Sequence, residues 1–176
     1  LSSRYLNTGL THSQTLLPMI EAVLQDAHLT VDSIDRIGVT VGPGSFTGVK
    51  IAVATAKGLA HKNNTPIGAI SSLEALAWGL RYDGVVCAVE DARRNMLYNA
   101  NFDHGVRICE DRQISIEDLL NETDKPLLLC GDGAKLVEET AKKLGKDVQL
   151  STADRMFIRA EIVAQMVETL PEEAFV

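Results

Sequence analysis

Apolar positions change period repeatedly along the chain, and each change marks an element. Alternating or continuous apolar runs predict strands at 34–41, 66–70, 84–89, 96–102, 106–114 and 126–130. Helical spacing predicts helices at 12–28, 45–63, 72–80, 116–121, 134–144 and 159–170. Asp103-His104-Gly105 reads as the turn that joins two of the strands. This alternation predicts an α/β fold with mixed sheets. A boundary near Arg81-Tyr82-Asp83-Gly84 divides the chain into lobes at 1–81 and 82–176, with the last helix free to return to the first lobe. The first lobe would have a thin sheet. Because the chain opens at Leu1 into a polar stretch, 2–11, flanking N-terminal strands are expected to be missing.

Two helices carry more apolar surface than one packed face needs. In 45–63, Phe46, Val49, Val53, Ala56 and Ala60 form one apolar face. Gly48, Ala52, Thr55 and Leu59 form a second, made mostly of small residues, and Lys50, Lys57 and His61 trace a polar stripe. Small residues let another helix approach closely. In 12–28, Leu16, Ile20, Val23, Leu24 and Ala27 form the inward stripe, while Leu17 and Met19 lie off it. Either both helices are central to the core, or they form a helical surface for another subunit.

Composition narrows the function classes. The chain has 176 residues and a formal net charge of −7. Its basic doublets are short and scattered, so unaided tight binding of nucleic acid is not expected. No apolar run is long enough to span a bilayer and no signal segment opens the chain, so a cytoplasmic location is the default expectation. The three cysteines, Cys87, Cys109 and Cys130, have no close pair, and two sit inside apolar runs as small hydrophobes.

The most informative segment is Gly42-Pro43-Gly44-Ser45-Phe46-Thr47-Gly48, which follows a strand and opens a helix. Free amides and the helix dipole can bind an anion there. A P-loop would need Gly-Lys-Ser/Thr at its end, and here Val49 and Lys50 follow Gly48. Pro43 also removes one donor. The other reading is a tight connection in which Ser45 caps the helix. Both stay open on the residues alone. No two histidines stand at metal-binding helical spacing, and no Gly-x-Ser-x-Gly elbow occurs. Asp91 with Arg93, and Gly131 with Asp132, follow predicted strands, where ligands of α/β sheets often sit. A salt bridge for Asp91 and a turn for Asp132 are the simpler accounts of them.

Several strings together resemble one family. Thr11-His12-Ser13-Gln14-Thr15-Leu16-Leu17-Pro18, the glycine segment, Ser71-Ser72-Leu73-Glu74-Ala75-Leu76-Ala77, Asp91-Ala92-Arg93-Arg94 and Gly131-Asp132-Gly133-Ala134 occur in the order of the TsaB (YeaZ) family. The resemblance runs from about Thr11 to Leu144. It implies a two-lobed actin and sugar-kinase-like ATPase fold and a non-catalytic subunit of the machinery that makes threonylcarbamoyladenosine in tRNA. The implied partners are a TsaD-like catalytic subunit, a TsaE-like ATPase and a second copy of the chain, with tRNA met only through the complex. The helices equivalent to 12–28 and 45–63 would make the interface, drawing on His12, Leu16, Leu17, Lys50, Ala52, Val53, Ala56 and Lys57. Asp91, Arg93, Gly131 and Asp132 would line a vestigial cleft. The resemblance implies no cofactor. The two metal-binding histidines of the catalytic relative match Ser72 and Leu76 here.

The chain also departs from the family. The family's first strand and C-terminal Tyr-Leu-Arg segment are absent, and Lys50 and Ala52 replace the usual Arg and Gly. Two rival readings are a glycoprotease-like metallopeptidase, which needs metal ligands, and a stand-alone ATPase or kinase, which needs a working phosphate loop.

Overall fold

The computed structural model describes residues 1–7 and 12–176, and for His12 the backbone alone. The chain forms two compact units, Leu1–Ile70 with Arg159–Val176, and Ser71–Ile158.

In the first unit, β1 (Ile37–Thr40) and β2 (Ile67–Ile70) pair in parallel. Helix α2 (Phe46–Ala60) packs on the face of β1 that carries Ile37 and Val39. Val39, Ala56, Ala60 and Ile67 form that core, with Ala52 and Val53 packed against it. Helix α6 (Ala160–Thr169) covers the opposite face, above Gly38 and Gly68. Helix α1 (His12–Asp26) lies against α2. Beyond β2 the chain end adds an antiparallel bridge: Ile67 donates its amide to Val176 O at 3.0 Å and accepts one back at 3.1 Å. This sheet is as thin as the pattern predicts.

In the second unit, β3 (Val85–Asp91) is central. It pairs antiparallel with β4 (Met96–Asp103) and parallel with β7 (Leu127–Cys130), which pairs in parallel with β8 (Val148–Leu150). Two short strands, β5 (Val106–Arg107) and β6 (Arg112–Ser115), pair with β4. Helices α4 (Ile116–Asn121) and α5 (Ala134–Lys143) cover one face and α3 (Ser72–Ala77) the other. Serines begin two of these helices. Ser71 Oγ accepts from the Glu74 amide at 3.3 Å, and Ser115 Oγ from the Asp118 amide at 3.1 Å.

Three details differ from the sequence pattern. The division falls at Ile70/Ser71, not near 81–84, because Leu73, Leu76 and Ala77 of α3 pack against Val86, Ala88 and Ala100 of the second sheet. Helix α6 returns to the first unit, a return that the sequence pattern leaves open. The single strand expected at 106–114 is broken at 108–111, where the Asn101 amide donates to Cys109 Sγ and Arg107 pairs with Asp111. Strand β8 was not expected, since Val148–Leu150 is too short to show a period.

Candidate functional site

The glycine segment forms a tight strand-to-helix connection. Gly42 is buried with φ +100°, Gly44 has φ +151°, and the Gly42-Pro43 peptide is cis. Ser45 caps α2, its Oγ accepting from the Gly48 amide at 3.3 Å and its carbonyl from the Val49 amide at 2.9 Å. Within Gly42–Gly48, then, the amide is absent at Pro43 and that of Gly48 is engaged by the cap, as in a tight capped connection.

The loop launches α2 with Phe46 outward. Phe46 is 73% exposed, and Lys50 Nζ lies 3.9 Å from its ring centroid, a cation–π pair one turn apart. From Lys50 the exposed stripe continues through Ala54, Lys57, Gly58 and His61. A side chain added at Gly58 would meet nothing within 4 Å. On α1, Leu17 is 50% exposed, with Pro18 and Glu21 exposed beside it, while Leu16 is half-buried.

The expected interface set therefore separates into three. Leu17, Lys50 and Lys57 are exposed. Ala56 is buried in the core of its own unit, and Ala52 and Val53 pack against that core, only partly exposed, as Leu16 is on α1. The side chain of His12 and all of Thr11 lie outside the described residues. The small face that reaches the surface is Ala54 with Gly58, not Gly48 with Ala52 and Thr55, which are half-buried. The spacing of Lys50, Ala54 and Gly58, four residues apart, carried that signal. In the sequence it is masked by Lys50, Lys57 and His61, which trace a polar stripe over the same face.

In the second unit, the structure brings Asp91, Arg93, Gly131 and Asp132 together. Asp132 Oδ1 accepts from the Asp91 amide at 3.0 Å. Asp91 Oδ1 accepts from the Arg93 amide at 2.7 Å, and its Oδ2 pairs with Arg93 Nη1 at 3.1 Å. Gly131 has φ +100°, and a Cβ there would stand 2.1 Å from Val89 O, so only glycine fits. Each of the four has a structural task that accounts for it. Glu90, which the sequence did not single out, is mostly buried beside them. Burial, reinforced by the charges of Asp132 and Asp111, pushes its carboxyl up to about 7. Ser72 and Leu76 are both buried on α3, and Leu76 belongs to the core. Among the described residues, no group of three or more His, Cys, Asp or Glu is placed to hold a metal, and no helix is long and apolar enough to cross a membrane.

The chain is a two-unit α/β protein with mixed sheets, of the TsaD-like, actin-related ATPase fold class, as its family match and its likeness to a solved structure show. The family model described as tRNA N6-adenosine threonylcarbamoyltransferase, TsaD, matches residues 7–169, and the chain belongs to this family, standing with its TsaB (YeaZ) members. It is 35% identical over 133 residues to the tRNA threonylcarbamoyladenosine biosynthesis protein TsaB of Bacillus subtilis (strain 168), covering 71% of this chain and 58% of that protein. To the TsaB protein of Haemophilus influenzae it is 38% identical over 92 residues, covering 50% of this chain and 39% of that one. Among solved structures it is similar to YeaZ from Pseudomonas aeruginosa, with a TM-score of 0.76 and 26% identity over 94% of this chain and 79% of that chain. The chain thus spans little more than half the length of the curated relatives it matches, or less.

Proposed function

We propose that this chain is a non-catalytic partner subunit for the threonylcarbamoyladenosine modification of tRNA, pairing with a TsaD-like catalytic protein in the cytoplasm. The observation that carries this reading is the outward stripe of α2. An exposed aromatic residue opens it, and Ala54 and Gly58 follow one turn apart with at most a methyl group to hold a neighbouring helix away. Leu17 of α1 adds exposed apolar surface on the adjacent helix. Phe46, Lys50, Ala54, Gly58 and Leu17 are therefore the residues we assign to the contact. A second copy of the chain can occupy the same surface when the catalytic partner is absent, and a TsaE-like ATPase is a further member of the assembly.

The rival readings lack support in the same residues. A metallopeptidase would need ligands where Ser72 and Leu76 are buried. A stand-alone kinase or ATPase would need a phosphate loop, and Gly42–Gly48 lacks the Gly-Lys-Ser/Thr ending and spends its Gly48 amide on the Ser45 cap. Reconstitution tests the proposal. With tRNA, ATP and the precursor supplied to a TsaD-family protein from the same source, formation of threonylcarbamoyladenosine should depend on adding this chain. Equal modification without it would reject the partner role.

A further inference from the structure

A cavity of about 340 Å³ opens in the second unit, between the end of α3 and the turn from β4 to β5. That volume lies in the range of small-molecule sites. Its apolar lining includes Trp78, the chain's single tryptophan, and Phe102, whose buried ring lies 5.0 Å from the Arg107 guanidinium carbon.

The three basic groups of the lining are not equivalent. Arg107 is spoken for by Glu74, at 3.2 Å, and by Asp111. His104 pairs with Asp103. Arg81 is exposed, and the hydrogen bond described for its guanidinium runs to the neighbouring Leu80 carbonyl at 3.2 Å, with no carboxylate in ion-pair range among the described contacts. Gly105, at φ +82°, faces it. A Cβ there would come within 3.4 Å of Arg81 Nη1, so the glycine turn keeps the space beside the guanidinium clear. The cavity therefore holds one cation without a carboxylate partner, a planar fork of donors, in the same lining as the Trp78 indole, while the Glu74 carboxylate that also lines it is engaged by Arg107.

We propose that this cavity binds a small aromatic anion, a flat ring carrying a carboxylate directly or a phosphate through a short linker, with the anionic group on Arg81 and the ring against Trp78. A guanidinium matches the paired oxygens of such groups, and an aromatic face stacks on indole. The proposal concerns a site in the second unit and is independent of the partner surface on α1 and α2.

Trp78 makes the test direct, because its emission is the only tryptophan signal the chain gives. Benzoate and adenosine 5′-monophosphate represent the two sources of the anion, with benzamide and adenosine as uncharged counterparts. Titration of the full chain is followed by tryptophan emission and, independently, by calorimetry. At least one anion should bind saturably, and its uncharged counterpart should bind about tenfold more weakly or not at all. Arg81→Gln, at an exposed position, should lose about tenfold in affinity for the same anion. Which anion binds tells a carboxylate source from a nucleotide source. No saturable binding of either anion up to about 10 mM by both methods would overturn the proposal. So would equal binding of the uncharged counterpart, or unchanged affinity in folded Arg81→Gln.

Discussion

Gly38 and Gly68 stand directly opposite each other in the β1–β2 register, and Val167 of α6 fills the space above both. A Cβ at Gly38 would lie 2.7 Å from Val167 Cγ2 and 3.0 Å from Val163 Cγ1. At Gly68 it would lie 2.9 Å from Leu170 Cδ1 and 3.0 Å from Val167 Cγ2. The missing side chains are what let a helix from the far end of the chain seat on a two-stranded sheet. Gly38→Ala should therefore destabilise the protein by about 1–3 kcal/mol through overpacking. Adding Val167→Ala should recover part of that loss, so the two changes should not add. Urea melts of the two single variants and the double variant measure this. Strict additivity would show that Val167 is not the obstacle.

Glu90 gives a pH dependence of definite sign. Its folded carboxyl sits at about 7, above the ordinary 4.5, because burial and then the charges of Asp132 and Asp111 disfavour ionisation. Between those values the folded state holds the proton more tightly than the unfolded state does. The contribution of Glu90 to stability is then full below pH 4.5 and is lost as pH rises through 7. The loss reaches up to about 3 kcal/mol. Glu90→Gln should flatten the fall between those pH values and be more stable than the parent at pH 8. Melting temperatures across this range check it, and parallel curves for the two proteins would contradict it.

Asn99 is fully buried on β4 and holds a chain of polar contacts. Its Nδ2 donates to Ala88 O at 3.2 Å and to Asn101 Oδ1 at 2.9 Å, and its Oδ1 accepts from Arg112 Nε at 3.0 Å. Arg112 in turn forks onto Glu122 just beyond α4. Asn99→Ala leaves a buried carbonyl and a guanidinium N–H without this partner, which should cost about 2–3 kcal/mol. Arg112→Ala in the Asn99→Ala background should cost less than it does alone. A melt series on the four proteins decides this, and independent effects would remove the network.

Strand and helix identity was legible wherever the period was long. The helices of 45–63 and 134–144 and the buried strand at 84–89 appear within a few residues of their expected bounds. Short or broken elements were not. The kink at 108–111 depends on Cys109 and Arg107 meeting partners distant in sequence, Asn101 and Glu74, which no local pattern encodes. Asn99 and Asn101 look like solvent-facing positions, yet both are buried on the same side of the sheet as Leu97 and Val137. The candidate surface was half legible. Two apolar faces on 45–63 announced a helix with two packing duties, but the sequence could not say which small residues face the protein's own sheet. Ala52 does, and Ala54 does not.

That contrast supplies the most direct measurement on the central claim, the binding of a TsaD-family protein through the outward face of α2. Ala54 is exposed, so Ala54→Glu should leave the melting temperature unchanged and weaken binding by about tenfold or more, as a charge meets the partner helix. Ala52→Glu, two residues away, should instead lower the melting temperature by forcing a charge against the core of Val39, Ala56, Ala60 and Ile67. Calorimetric titration of the catalytic partner into both variants, alongside thermal melts, reads the two effects separately. The account predicts a folded Ala54→Glu protein that has lost its partner. A folded Ala54→Glu protein that binds with the affinity of the parent would contradict it.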